Sequence, residues 1–248
     1  MDRKTWAQEF AKKTEGLTLP EFLRASEAEF GSQLCFATSL GAEDQAVFHQ
    51  LLDLRQITVF TLDTGRLPNE TYDVLAETVA RYGRRIEVLF PAASKVQALV
   101  ARHGINLFYE SVANRKACCG VRKVNPLNAK LGGYTAWITG LRREQSPTRG
   151  QLNRVEYDEA HDMVKLNPLA DWTRDEVWDY LGAHNVPVNA LHAQGYPSLG
   201  CAPCTRAIAD GEEERAGRWW WELPEHKECG IHVGPAPGKK FSFQGLKG

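Results

Sequence analysis

The sequence has no apolar run approaching the roughly 20 residues that a membrane-spanning helix needs. Its first residues, Met1-Asp2-Arg3-Lys4-Thr5-Trp6, lack the apolar core of a secretory signal. Charge of one sign is not in excess either: 30 Lys and Arg stand against 31 Asp and Glu, so no global basic field points to nucleic acid or a membrane surface. Any anion must therefore be met by a local cluster of Lys and Arg. Internal repeats and low-complexity blocks are missing, and no Gly-Lys-Ser/Thr phosphate loop follows the first predicted strand. The expectation is a cytoplasmic protein with no nucleic-acid or membrane partner. In such a protein six cysteines read as metal or redox chemistry rather than a disulfide framework.

What is present fits one α/β domain: 248 residues, 43% hydrophobic and 25% charged. Residues 3–30 carry apolar residues at helical spacing, with Pro20 marking a second helix start. Short buried-strand patterns follow at Leu34–Thr38, Ile57–Leu62, Ile86–Phe90 and Ala136–Thr139. Helical patterns lie between and after them, at Ala46–Leu54, Asn69–Tyr82, Ser94–Arg102 and Val121–Leu131. Thr173-Arg174-Asp175-Glu176 is a capping box opening a helix through Val177–Ala183. Continuous apolar strands alternating with helices imply an open, mostly parallel sheet covered on both faces. Beyond Pro187 the pattern fades. Residues 1–226 are read as one domain, its N-terminal helices in 1–30, and residues 227–248 as a mobile C-terminal arm.

Ligands of such sheets bind outside the carboxyl ends of the strands. The first strand-to-helix turn offers Thr38, Ser39 and Gly41, which supply hydroxyls, backbone N–H groups and room for close approach. Glu43 and Asp44 either accept from ribose hydroxyls or favour the helix N-terminus. The second turn, after Leu62, repeats the layout with Asp63, Thr64, Gly65 and Arg66, although Asp63 also suits a cap. Arg142 and Arg143 directly follow a strand, where their forked donors match phosphate or sulfate oxygens. Arg215 and Arg218, three apart on a stretch read as helical, are placed to face one anion together. The neighbouring Trp219-Trp220-Trp221 is read as packing.

Cys118-Cys119 and Cys201-Ala202-Pro203-Cys204 bring four thiolates to one centre. A four-thiolate zinc site and an iron–sulfur cluster both fit this set. Adjacent ligands strain a compact tetrahedral zinc ion, whereas a cluster presents separate iron corners, so the chemistry favours the cluster. Arg115, Lys116, Arg122 and Lys123 flank the paired cysteines, either as a solvated helix face or as cations offsetting thiolate charge. Lys123 lies between cluster and substrate in the second case. Cys35 sits inside a strand pattern and reads as buried. Cys229, in Lys227-Glu228-Cys229-Gly230-Ile231-His232, is the candidate nucleophile: Lys227 and His232 favour its thiolate, which is the attacking form.

Jointly and in this order, these motifs resemble the assimilatory sulfonucleotide reductases, specifically the iron–sulfur-containing adenylyl-sulfate (APS) reductases. The resemblance rests on Gly41–Asp44, Leu62–Gly65, Cys118-Cys119, Leu141–Ser146, Gly195–Thr205 and Glu228–His232. It implies a PP-loop (adenine nucleotide alpha hydrolase-like) α/β fold. It also implies that Cys229, assisted by His232, attacks the sulfur of adenylyl sulfate, displacing AMP and leaving an S-sulfocysteine. Thioredoxin or glutaredoxin would then release sulfite. By the same likeness Cys118, Cys119, Cys201 and Cys204 would hold a [4Fe–4S] cluster that tunes charge, with Lys123 coupling it to the substrate. Arg142 or Arg143, Arg215 and Arg218 would neutralise the phosphosulfate. Thr38, Ser39, Gly41 and Asp44 would serve the phosphate end, and Leu62, Asp63 and Gly65 the adenosine. Leu40 departs from the family, many members of which carry Ser there. A homo-oligomer is left open.

Three other readings were weighed. A 3′-phosphoadenylyl-sulfate (PAPS) reductase generally lacks the four cysteines, and Glu43-Asp44 would sit badly near an extra 3′-phosphate. A PP-loop ATP-dependent enzyme would carry a Ser-Gly-Gly-Lys-Asp-Ser type loop. A non-catalytic zinc-stabilised nucleotide-binding module would use the same thiols structurally.

Overall fold

The computed structural model describes residues 2–145 and 151–223. Cys229, His232 and the segment 227–248 lie outside the described residues. Two helices open the chain, α1 (Arg3–Lys13) and α2 (Leu19–Phe30). The second starts as Pro20 and a reciprocal Thr18–Glu21 capping box dictate: Thr18 N–H donates to Glu21 at 2.9 Å.

A six-stranded sheet follows, in the order β3-β2-β1-β4-β6-β5. Its strands are β1 (Leu34–Thr38), β2 (Thr58–Leu62), β3 (Glu87–Leu89), β4 (Ala136–Ile138), β5 (Val155–Asp158) and β6 (Met163–Leu166). Every pairing is parallel except β5 on β6. In register, Cys35 of β1 lies between Thr58 of β2 and Trp137 of β4. Helices α3 (Ala42–Gln50), α4 (Asn69–Tyr82), α5 (Ala93–His103), α6 (Val112–Cys119), α7 (Asn125–Leu131) and α8 (Arg174–Ala183) complete the architecture.

The period-2 alternation of β1 assigns the two faces. Leu34 and Phe36 enter one core with Phe10, Phe22, Phe48, Val164 and Leu166. Cys35 enters the other, with Phe60, Leu127, Leu131 and Trp137. Burial pushes the Cys35 thiol far up, which makes it a core residue and no nucleophile.

The structure departs from the pattern in three places. Helix α3 starts at Ala42 rather than Ala46, because Gly41 serves as its N-cap directly after the β1 turn. The helical pattern at Val121–Leu131 holds, its first part as a π-turn, Gly120–Val124, that runs into α7. Strands β5 and β6 did not stand out in the pattern: Lys165 interrupts the apolar run of β6, yet it is buried with its Nζ 5.9 Å from the Trp137 ring centre. The stretch carrying Arg215 and Arg218 is a series of turns, not a helix.

Strand order reverses between β1 and β4, the two strands that flank the start of the fold. Their carboxyl ends therefore open the sheet's natural crevice.

Candidate active site

A cleft of about 220 Å³ occupies that crevice. Ala37, Phe60, Leu62, Leu127 and Trp137 give it an apolar side. Thr38, Ser39 and Gly41 form one wall, as the sequence predicts. The turn holding them is strained and braced. Leu40 has φ 62, in the left-handed region, and is buried, while its N–H donates to Thr38 Oγ1 at 3.0 Å.

Asp44 supplies the brace. Its carboxylate accepts from both the Ser39 N–H and the Ser39 hydroxyl at 2.5 Å. Burial pushes the Asp44 carboxyl up to about 6, against the Ser39 donors, with Glu43 adding to the rise. A Cβ on Gly140, at the end of β4, would collide with the Asp44 carboxylate, so glycine is required where the two turns meet. Asp44 thus shapes the turn and also lines the cleft.

The β2 turn connects this cleft to a second cavity. Asp63 accepts from the Gly65 N–H at 2.7 Å and from the Tyr72 hydroxyl at 2.9 Å. Neither Asp63 nor Gly65 lines the cleft; Leu62 and Thr64 do. The Thr64 carbonyl accepts from buried Arg122 at 2.6 Å, and the Thr64 hydroxyl lies 3.2 Å from Cys201 Sγ.

Cys118, Cys119, Cys201 and Cys204 all line that adjoining cavity, as the sequence predicts. The four are free thiols. Among the described residues, no three His, Cys, Asp or Glu side chains converge as ligands of a single metal ion. The thiols share a wall, with cations around them. Arg115 is fully buried, bonds Glu222 at 2.7 and 3.0 Å, and stacks 4.7 Å from the Trp219 ring. Arg122 is also buried. Burial alone would raise the Cys201 thiol; Lys123, the Thr64 hydroxyl, Arg218 and Arg122 outweigh it and leave it lowered. Only Lys116 of the four predicted flanking cations fits the solvated-face alternative, being exposed.

Lys123, Arg218 and Trp219 line both cavities. Lys123 is carried on the π-turn. Arg218 is buried, and its guanidinium donates to the Leu199 carbonyl. A Cβ on Gly200 would strike that guanidinium, so any other residue before Cys201 would displace Arg218. Arg215 lines the nucleotide-type cleft beside it.

The two arginines after β4 go elsewhere. Arg142 is 1% exposed; Nε donates to Glu43 at 2.8 Å and Nη2 reaches Glu214 at 3.3 Å. Arg143 donates to the Leu152 carbonyl at 2.6 Å and pairs with Asp171. Neither lines the cleft; carboxylates of other segments hold both guanidinium groups, and Arg142 Nη1 is buried without a hydrogen bond. His192 and Glu214, which the sequence did not single out, also line it, beside Pro197 of the Gly195–Thr205 motif. Burial lowers the His192 ring value, and its Nδ1 lies 2.8 Å from the Tyr196 carbonyl. With Nδ1–H donating there, Nε2 is an acceptor, and it is buried without a hydrogen bond.

The mostly parallel six-stranded sheet with its cleft at the strand-order reversal is that of the PP-loop class of α/β proteins. Residues 33–207 match the phosphoadenosine phosphosulfate reductase domain. The chain belongs to that family, within its adenosine 5′-phosphosulfate reductase branch. It is 52% identical to an adenosine 5′-phosphosulfate reductase of Burkholderia cepacia over 91% of this chain and 89% of the relative. Identity is again 52% with the Allochromatium vinosum protein of that name, over 87% of each. A probable chloroplastic 5′-adenylylsulfate reductase of rice is 46% identical over 90% of this chain and 49% of its own length. Among solved structures, a PAPS reductase from Candida auris superposes with TM-score 0.70 at 23% identity, covering 82% of this chain and 96% of that one. Candida glabrata FMN adenylyltransferase shares the fold more distantly, at TM-score 0.52, 16% identity, and 96% and 78% coverage.

Proposed function

We propose that this chain reduces adenylyl sulfate to sulfite and AMP with electrons from thiols, as a step of assimilatory sulfate reduction. The observation that carries the reading is the shared wall. Lys123 and Arg218 stand between a nucleotide-sized cleft and a four-thiol cavity. The names of the Burkholderia, Allochromatium and rice relatives support the same substrate.

Adenosine lies on the apolar side, and the Thr38–Gly41 turn receives the 5′-phosphate end. Lys123, Arg215 and Arg218 bind the phosphosulfate and stabilise the charge that grows on AMP as it leaves. The Cys229 thiolate, assisted by His232, attacks the sulfur. A Cys229 S–S bond forms, the S–O bond to phosphate breaks, and AMP departs with the electron pair. A thiolate of thioredoxin or glutaredoxin then attacks Cys229 Sγ and expels sulfite. The second thiol of that reductant resolves the mixed disulfide, returning the Cys229 thiol and leaving the reductant oxidised. Free thiols of this kind require a reducing compartment, which supports the cytoplasm as the site of action.

The donor set suits a [4Fe–4S] cluster held by Cys118, Cys119, Cys201 and Cys204: four thiols line one cavity together with Arg115, Arg122 and Lys123. Bound there, such a cluster supplies fixed charge and no electrons to the reaction.

Purified protein given adenylyl sulfate and reduced thioredoxin is expected to release sulfite and AMP in equal amounts. A clear preference for PAPS over APS, or no sulfite from either, would overturn the substrate assignment.

A further inference from the structure

Seven large apolar side chains are exposed among the described residues, and four of them fall on two short segments that pack together. Ile105 and Tyr109 belong to the segment around the 3-10 turn Leu107–Tyr109. Trp220 and Leu223 belong to the last described turns of the chain. The Tyr109 ring joins the two: its centre lies 4.5 Å from that of Trp221 and 6.4 Å from that of Trp220. The two tryptophan rings themselves meet edge-on at 4.7 Å.

Polar contacts hold this patch in place. The Tyr109 hydroxyl donates to the Pro203 carbonyl at 2.7 Å. Arg66 donates to the Ile105 carbonyl at 2.7 Å while its guanidinium lies 5.1 Å from the Phe108 ring centre. Trp219 has φ 41, in the left-handed region that bulky residues avoid. Across that strained position Trp219 is buried against the thiol cavity and Trp220 is exposed. Phe108 and Pro203 line the same cavity, so the patch adjoins its cysteines. Glu110 and Lys116, exposed and of opposite sign, lie nearby in the chain. Shape and apolar area, rather than a field of one sign, therefore select what binds.

We propose that this aromatic patch is the docking surface for the dithiol protein that releases sulfite from Cys229. The proposal rests on the function above, whose second step brings a protein thiolate onto Cys229 Sγ. Leu223 precedes Cys229 by six residues, which places their Cα atoms at most about 20 Å apart. A standard interface takes about 800 Å² from each partner, a disc of roughly 16 Å radius. A protein whose thiol meets Cys229 has a footprint on the scale of that separation. Trp and Tyr carry much of the binding energy at such interfaces, where Lys and Glu are depleted. The partner that fits is a dithiol protein with apolar surface around its attacking thiol. A small thiol lacks that surface and gains nothing from the patch.

S-sulfonated enzyme, made with adenylyl sulfate and freed of AMP, is given either reduced thioredoxin or dithiothreitol. In Trp220→Ala, kcat/KM for thioredoxin is expected to fall about tenfold or more. Sulfite release by dithiothreitol, and the rate of S-sulfonation by adenylyl sulfate, should stay at wild-type values. Leu223→Ser and Ile105→Ser alter side chains that are 62% and 59% exposed. They should give smaller losses of the same kind, which separates docking from a fold defect at Trp220. Equal losses with thioredoxin and dithiothreitol, or no loss with either, would overturn the proposal while leaving the function intact. Slower S-sulfonation in these variants would overturn it in favour of a patch that serves the chain's own Cys229 segment. A halved molecular mass with thioredoxin dependence unchanged would give the patch to a second copy of the chain. Wild-type protein that forms no sulfonate adduct would instead sink the function on which the proposal rests.

Discussion

Glu222→Ala tests how the thiol cavity is held together. Arg115 and Glu222 form a two-point ion pair, Nη2 to Oε2 at 2.7 Å and Nε to Oε1 at 3.0 Å, with the side chains 0% and 2% exposed. Alanine would strand a buried guanidinium beside Trp219 and Cys119, with no water to solvate it. Breaking one partner of such a pair costs about 3–5 kcal/mol. For a chain of this size each kcal/mol moves Tm by about 2–4 °C, so a drop of roughly 6–20 °C is expected. Equilibrium urea midpoints on wild type and variant measure the loss. Arg115→Met/Glu222→Leu, which removes both charges at similar volume, should recover most of it. A loss below about 1 kcal/mol in Glu222→Ala, or no recovery in the double variant, would refute the buried pair as the cavity's brace.

Smaller perturbations test other parts. Gly140→Ala should push the Asp44 carboxylate off Ser39 and weaken AMP binding, read by calorimetry as at least a tenfold loss. Gly200→Ala displaces the Arg218 guanidinium and should raise KM for adenylyl sulfate while the fold, read by circular dichroism, is retained. Asp44 makes stability depend on pH in a defined direction. Its folded value of about 6 lies above the ordinary 3.8, so its contribution is full below pH 3.8 and is lost as pH rises through 6. Relative to wild type, Asp44→Asn should flatten that window, by up to about 3 kcal/mol, in urea titrations at each pH. Anaerobically purified protein should be brown, with iron and acid-labile sulfide, and Cys118→Ser or Cys201→Ser should lose both. Colourless wild-type protein binding zinc would favour the structural-metal alternative.

Much of the central sheet is legible in sequence because its strands are apolar on both faces. Leu34–Thr38 is read to the residue, and Ile57–Leu62 and Ala136–Thr139 to within one residue at an end. The failures have physical causes. Strand β6 hides behind Lys165, whose charge is tolerated because Glu156 sits 3.6 Å away and Trp137 lies alongside. The π-turn after Cys119 reads in sequence only as helix, because five residues are too few to show its wider period. In the site, residue type identified the thiols and Lys123, since few other side chains do that chemistry. It could not tell Arg142 from Arg218. Both are buried arginines at loop positions, and only the tertiary partners separate them: carboxylates take the first, and a carbonyl at the cleft's edge orients the second. Glu214 and His192 belong to no local motif, so nothing short of the fold brings them to the β1 turn.

The central claim is covalent transfer from substrate to a cysteine distinct from the four that line the cavity. Incubating the protein with adenylyl sulfate and no reductant, then mapping the adduct by mass spectrometry, tests it directly. The account predicts one added sulfonate, on Cys229, released as sulfite when thioredoxin is supplied. An adduct on Cys118, Cys119, Cys201 or Cys204, or AMP release with no protein adduct, would contradict it.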